Sequence, residues 1–164
     1  MRIEDVDVAA WYEALCADAL ATAAQAKVEL ACTSDSLPAR AAFDGEALRR
    51  AVLNLIDNAL RHSGSKQVAL DARVRGASEL VLTVRDHGQG LPAAQRSAVF
   101  EAFVRLNGST AAAGAGLGLA IVREIAVAHG GSVIVRDPPD HPGALFELSI
   151  PLREMARMAH EETA

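Results

Sequence analysis

The stretch EALRRAVLNLIDNALRH, residues 46–62, sets Leu48, Ala51, Val52, Leu55, Ile56, Ala59 and Leu60 at the three-and-four spacing of a helix with one buried face. Asp44 stands where an N-cap belongs, and Ser63-Gly64 supplies the stop. Immediately downstream the period falls to two. Residues 66–75 place Val68, Leu70, Ala72 and Val74 on one face, and residues 79–86 do the same with Leu80, Leu82, Val84 and Asp86. One amphipathic helix followed by two half-buried strands calls for a layer of helix over a layer of sheet.

Working outward, residues 8–26 are rich in Ala and Leu without Gly or Pro, which predicts another helix. Residues 27–32 and 39–43 are short apolar runs that read as a small hairpin. Beyond Asp86 the chain is glycine-rich. It holds one apolar helix candidate at 92–103 and an Ala/Gly/Ser/Thr tract at 108–116 that reads as a mobile loop. Residues 117–129 return to helical periodicity, and 132–136 with 144–152 form a hairpin across DPPDHPG. The expected fold is α+β: a two-layer α/β sandwich with a mixed, mostly antiparallel sheet of about five strands on about three helices. One domain over 1–152 is followed by a charged tail at 153–164.

A chain of 164 residues can bury one substantial core. A net charge of -5, with a single Trp and a single Tyr, argues against a nucleic-acid surface built on basic patches and stacking aromatics. No apolar run reaches the length of a membrane span, and the opening Met1-Arg2-Ile3-Glu4-Asp5 does not look like a signal peptide, so a cytoplasmic location is expected. Cys16 and Cys32 lack metal-ligand spacing and read as small, partly buried hydrophobes, with neither a disulfide nor zinc expected.

Three constellations carry chemistry. On the helix at 46–62, Asn54, Asn58 and Arg61 fall within roughly 60° of one another, opposite the apolar face, with His62 beside them. Amide oxygens and a cation on one stripe suit Mg²⁺ and phosphate, although an ordinary solvated face carries the same residues. Asp86 begins DHGQG at the end of a strand whose alternation turns its carboxylate toward the apolar layer, where it requires a donor such as an adenine amino group. A plain surface turn is the competing reading, and burial of Asp86 separates the two. Third, GAGLGL at 114–119 runs into a helix, and glycines there leave backbone N–H groups open to an anion. It is neither a Walker loop nor a dinucleotide fingerprint.

In this order the motifs resemble those of sensor histidine kinases. LRRAVLNLIDNALRHSG (48–64) is similar to their N box, VRDHGQGLP (84–92) to the G1 box, VFEAFVRL (99–106) to the F box and GAGLGLAIVREIAVAHGGSV (114–133) to the G2 box. The resemblance implies the GHKL ATPase fold, with ATP held under a lid between G1 and G2. It gives Asn58 as the Mg²⁺ ligand, Asn54 as its partner, Arg61 as a phosphate contact and Asp86 as the adenine-reading carboxylate. Gly88, Gly90 and Leu91 belong to the base pocket; Gly114, Gly116, Leu117, Gly118 and Leu119 belong to the phosphate side. Phe100 and Phe103 would anchor the lid, Arg105 would approach the γ-phosphate and His62 would lie near the base.

The same resemblance implies two protein partners: a histidine-bearing dimerisation domain of the same kinase and the receiver domain of a response regulator. The 164 residues contain no HExxxP-like phosphoacceptor; His160-Glu161 has no Pro after it. The domain alone is therefore expected to be monomeric and unable to autophosphorylate, and to form the cytoplasmic part of a bacterial inner-membrane kinase. Two alternatives differ in class. A gyrase-like clamp ATPase would carry a Glu as general base where this chain has Asn54, which disfavours water attack. A serine kinase of the anti-sigma type, or a non-catalytic nucleotide-sensing module, would keep the pocket and change the acceptor.

Overall fold

The computed structural model describes residues 1–103 and 116–153. Val104, Arg105, residues 108–115 of the tract expected to form the lid, with Gly114, and the tail from 154 onward, with His160, lie outside the described residues. Seven strands and three helices are found among the described residues: β1 (Glu4–Asp7), α1 (Val8–Gln25), β2 (Glu29–Asp35), β3 (Arg40–Phe43), α2 (Gly45–His62), β4 (Gln67–Arg75), β5 (Glu79–Asp86), α3 (Gly118–Ala128), β6 (Ser132–Arg136) and β7 (Leu145–Pro151). Five strands form the main sheet in the order β2-β4-β5-β7-β6, with β2 parallel to β4 and every other pair antiparallel. The α+β two-layer expectation holds.

The register follows from which side chains must be dry. Val68, Leu70 and Ala72 of β4, Leu80, Leu82 and Val84 of β5, and Leu148 and Ile150 of β7 are buried, and they meet Leu48, Val52, Leu55 and Ile56 of α2. Asp44 caps α2 as expected, its Oδ1 accepting from the Ala47 N–H at 2.9 Å. Buried His129 links this cap to α3: its Nε2 accepts from the Asp44 N–H at 3.1 Å while Nδ1 lies 2.8 Å from the Ile125 carbonyl. That pattern selects the neutral ring with its proton on Nδ1. Helix α1 is joined to α2 by the Arg49–Asp18 ion pair at 2.6 Å.

Two expectations are corrected. Residues 27–32 and 39–43 do not form a hairpin: β2 runs alongside β4, and β3 pairs instead with β1 in a separate two-stranded sheet. The helix expected over 92–103 is two 3-10 turns, Ala93–Gln95 and Ala98–Phe100. The Arg96 guanidinium donates to the Leu91 carbonyl at 3.1 Å across the first turn, and Val99 and Phe100 leave the second to enter the core. Phe100 packs edge-on against Phe146 with ring centroids 6.1 Å apart, whereas the Phe103 ring is 72% exposed and its N–H donates to the Gly116 carbonyl at 3.1 Å.

Candidate nucleotide site

Asp86 is the last residue of β5 and is only 4% exposed. Its Oδ1 accepts from two backbone donors, the Gly88 N–H at 2.9 Å and the Ala144 N–H at 3.1 Å. The Asp86 N–H in turn donates to the Ala144 carbonyl at 3.0 Å. The carboxylate is thus fixed from both sides. Among the described residues no donor reaches Oδ2, and this oxygen is not among the sealed polar atoms, so it is left accessible. A buried carboxylate with one oxygen tied and the other presented is what a ligand amino group requires. Burial decides against the surface-turn reading.

The glycines around Asp86 are dictated by close backbone approach. A Cβ on Gly88 would overlap the Ser63 carbonyl at the end of α2, and one on Gly90, which has φ 76°, would lie 2.7 Å from the Gly143 carbonyl. Gly143 itself is packed so tightly on the Asp86 carbonyl that a side chain there would overlap it. DPPDHPG, expected only to turn a hairpin, therefore completes the mount of Asp86 through Gly143 and Ala144. Two serines tie the other side: Ser65 Oγ accepts from the His87 N–H at 3.0 Å, and Ser63 Oγ accepts from the Ser65 N–H at 3.0 Å. The sequence reading missed these four residues. The Ser-Gly-Ser after α2 was a signal for the serines, whereas nothing local marked Gly143 and Ala144.

The polar stripe of α2 leads from this pocket toward α3. Asn54 and Asn58 are half-buried, and Asn54 Nδ2 reaches the Gly118 carbonyl at 3.4 Å, so the start of α3 abuts the stripe. Arg61 is exposed and bound to Asp57 at 2.7 Å, which raises its guanidinium pKa further above the ordinary value. His62 is exposed at the end of α2. Leu91 is buried and Leu119 half-buried, so both support the floor from the core. Gly116, with φ 70°, and Leu117 precede α3, whose first turn contains no acidic residue and, among the described residues, no capping side chain. Helices α1 and α2, by contrast, are both closed by aspartates, Asp7 and Asp44. An uncapped N-terminus beside two amides and near an arginine fits a phosphate chain, and the two amide oxygens fit a hard cation carried with it.

The profile of the family described as "Histidine kinase-, DNA gyrase B-, and HSP90-like ATPase" matches residues 43–154. The chain belongs to this ATPase family. Among curated relatives, the ATPase domain is 39% identical over 109 residues to the sensor protein KdpD of Escherichia coli (strain K12), covering 66% of this chain and 12% of that protein. It is also 39% identical over 125 residues to the histidine-protein kinase/phosphatase MprB of Mycolicibacterium paratuberculosis, covering 74% of this chain and 24% of that protein. The chain thus spans less than a quarter of these relatives' length. Its fold superposes on a mycobacterial sensor histidine kinase MprB structure with a TM-score of 0.75 at 30% identity, covering 94% of this chain and 100% of that one. Full-length ShkA in complex with AMPPNP gives a TM-score of 0.78 at 30% identity, covering 93% of this chain and 31% of that one. This is an ATP-binding domain of the sensor histidine kinase type.

Proposed function

We propose that this domain binds ATP with Mg²⁺ and presents the γ-phosphoryl group to a histidine on a separate dimerisation domain, from which it passes to the receiver domain of a response regulator. Asp86 accepts the adenine amino group through Oδ2. Asn58, assisted by Asn54, holds the metal, and Arg61 exchanges Asp57 for phosphate oxygens. The N–H groups that open α3, from Gly118 and Leu119 onward, receive the phosphate chain, with Gly114, Gly116 and Leu117 leading into them. Bound Mg²⁺ would neutralise charge on the phosphates. Arg105 is proposed to meet the γ-phosphate and His62 to flank the base. The domain is proposed to work on the cytoplasmic side of a bacterial inner-membrane kinase. Among the described residues no helix is long and apolar enough to cross a membrane.

The observation that carries transfer over hydrolysis is Asn54. It sits one turn before Asn58 with its amide against Gly118, and an amide cannot take a proton from water at neutral pH. With an amide rather than a carboxylate at this position, positioning and charge neutralisation favour an acceptor brought by another domain. The test is to mix the domain with the separately produced histidine-bearing domain of its own full-length kinase and γ-labelled ATP. Acid-labile label on that second domain, lost when its histidine is replaced, is expected. Release of inorganic phosphate without labelling would overturn the proposal.

A further inference from the structure

Cys16 and Cys32 were expected to be small hydrophobes with no disulfide, yet the fold places them on the facing surfaces of α1 and β2. Tyr12 sets the geometry. Its hydroxyl lies 2.6 Å from the Thr33 carbonyl and 3.2 Å from the Leu70 carbonyl, and Leu70 is the residue paired with Cys32 across β2 and β4. Cys16 is one helical turn after Tyr12, on the same face of α1. The tyrosine clamp therefore lowers that face onto β2, where Cys32, like Cys16, packs half-buried against the core. Both cysteines are free and half-buried, so a small oxidant can reach them.

We propose that Cys16 and Cys32 are a redox-active dithiol that closes to an intramolecular disulfide between α1 and β2 when hydrogen peroxide oxidises it. Burial, followed by the facing Cys16, pushes Cys32 up to about 12. Cys32 thus keeps its proton and Cys16 makes the first attack. The Cys16 thiolate attacks one peroxide oxygen; an S–O bond forms, the O–O bond breaks, and the departing hydroxide takes a proton to become water. The Cys32 sulfur then gives up its proton and attacks the sulfenic sulfur of Cys16, displacing a second water. In sum, two thiols and one peroxide give one disulfide and two waters, with both sulfurs oxidised and both peroxide oxygens reduced. The bridge ties β2, an edge strand held only by β4, to the helix layer.

The chain is treated with graded hydrogen peroxide, then alkylated and mapped as non-reduced peptides. Both thiols are expected to disappear together, giving one cross-linked peptide pair that dithiothreitol restores. Amide exchange across Glu29–Asp35 is expected to slow in the oxidised chain. Cys16→Ser and Cys32→Ser chains should instead carry their single thiol on to sulfinic and sulfonic acid. Independent over-oxidation of the two cysteines in the unmodified chain, disulfides only between chains, or thiols that survive peroxide in the folded protein would each overturn the proposal.

Discussion

At the base end of the site a carboxylate that is 4% exposed is held by two backbone N–H groups, whereas at the phosphate end Asn58 is half-buried and Arg61 lies exposed against Asp57. The first arrangement is fixed by sheet register, because Asp86 is where β5 ends beside Ala144. The second is a row of partly exposed side chains on a helix, with Asn54 reaching Gly118 and Arg61 held by Asp57, beside an uncapped helix start. On the proposed assignment, base recognition is built in before the ligand arrives, whereas phosphate recognition is assembled as Arg61 exchanges Asp57 for the ligand.

If the base end is rigid, disturbing its mount has the largest effect. Gly143→Ala forces a side chain onto the Asp86 carbonyl and is expected to cost roughly 1–3 kcal/mol of stability together with most nucleotide affinity. Gly64→Ala, also at positive φ but with open space around it, is the control: about 1 kcal/mol and unchanged affinity, read by denaturant melts and calorimetry. At the phosphate end, Asn58→Ala is expected to weaken binding about tenfold with Mg²⁺ present and little without it. Equal loss in both conditions would remove Asn58 from the metal.

The capped start of α2 sharpens the contrast with the open start of α3. Asp44→Ala is expected to cost about 1 kcal/mol without affecting nucleotide. Burial of Asp44 opposes its ionisation, but the Arg2 and Ala47 N–H groups, followed by the N-terminal ammonium, outweigh it and hold the carboxyl below the usual carboxylate range. Its contribution is therefore present above the unfolded value of about 3.9 and is lost as pH falls through the lower folded value. Wild type and variant should converge in acid melts and differ at neutral pH. The smallest effect belongs to Asp57→Ala, which frees Arg61 and should tighten nucleotide binding less than about threefold, more at low salt than at high.

The same division governs what could be read from the sequence. Helix α2 and strands β4 and β5 were legible because their apolar periods run long enough to fix type, face and cap. Asp86 was placed on the buried face by alternation alone. The hairpin over 27–43 failed because β2 chooses a parallel partner across α2, a long-range pairing that local turn chemistry does not encode. β1, with the sequence EDVD, carries almost no apolar signal and forms only because β3 is beside it. The 92–103 segment has helical composition, yet Arg96 and the demand to bury Val99 and Phe100 break it into two turns. Gly143 and Ala144 looked like part of a plain turn because their role depends on a partner 58 residues away in Asp86.

The most direct test is calorimetric titration of wild type and Asp86→Asn with a non-hydrolysable ATP analogue and Mg²⁺, repeated with the corresponding 6-oxo purine analogue. The asparagine oxygen can still accept from Gly88 and Ala144, so the fold should persist, while its amide would face the adenine amino group donor to donor. A loss of about 10- to 100-fold for the adenine nucleotide, with relative gain for the 6-oxo purine, is the predicted result. Unchanged adenine affinity in a folded Asp86→Asn domain would contradict the account.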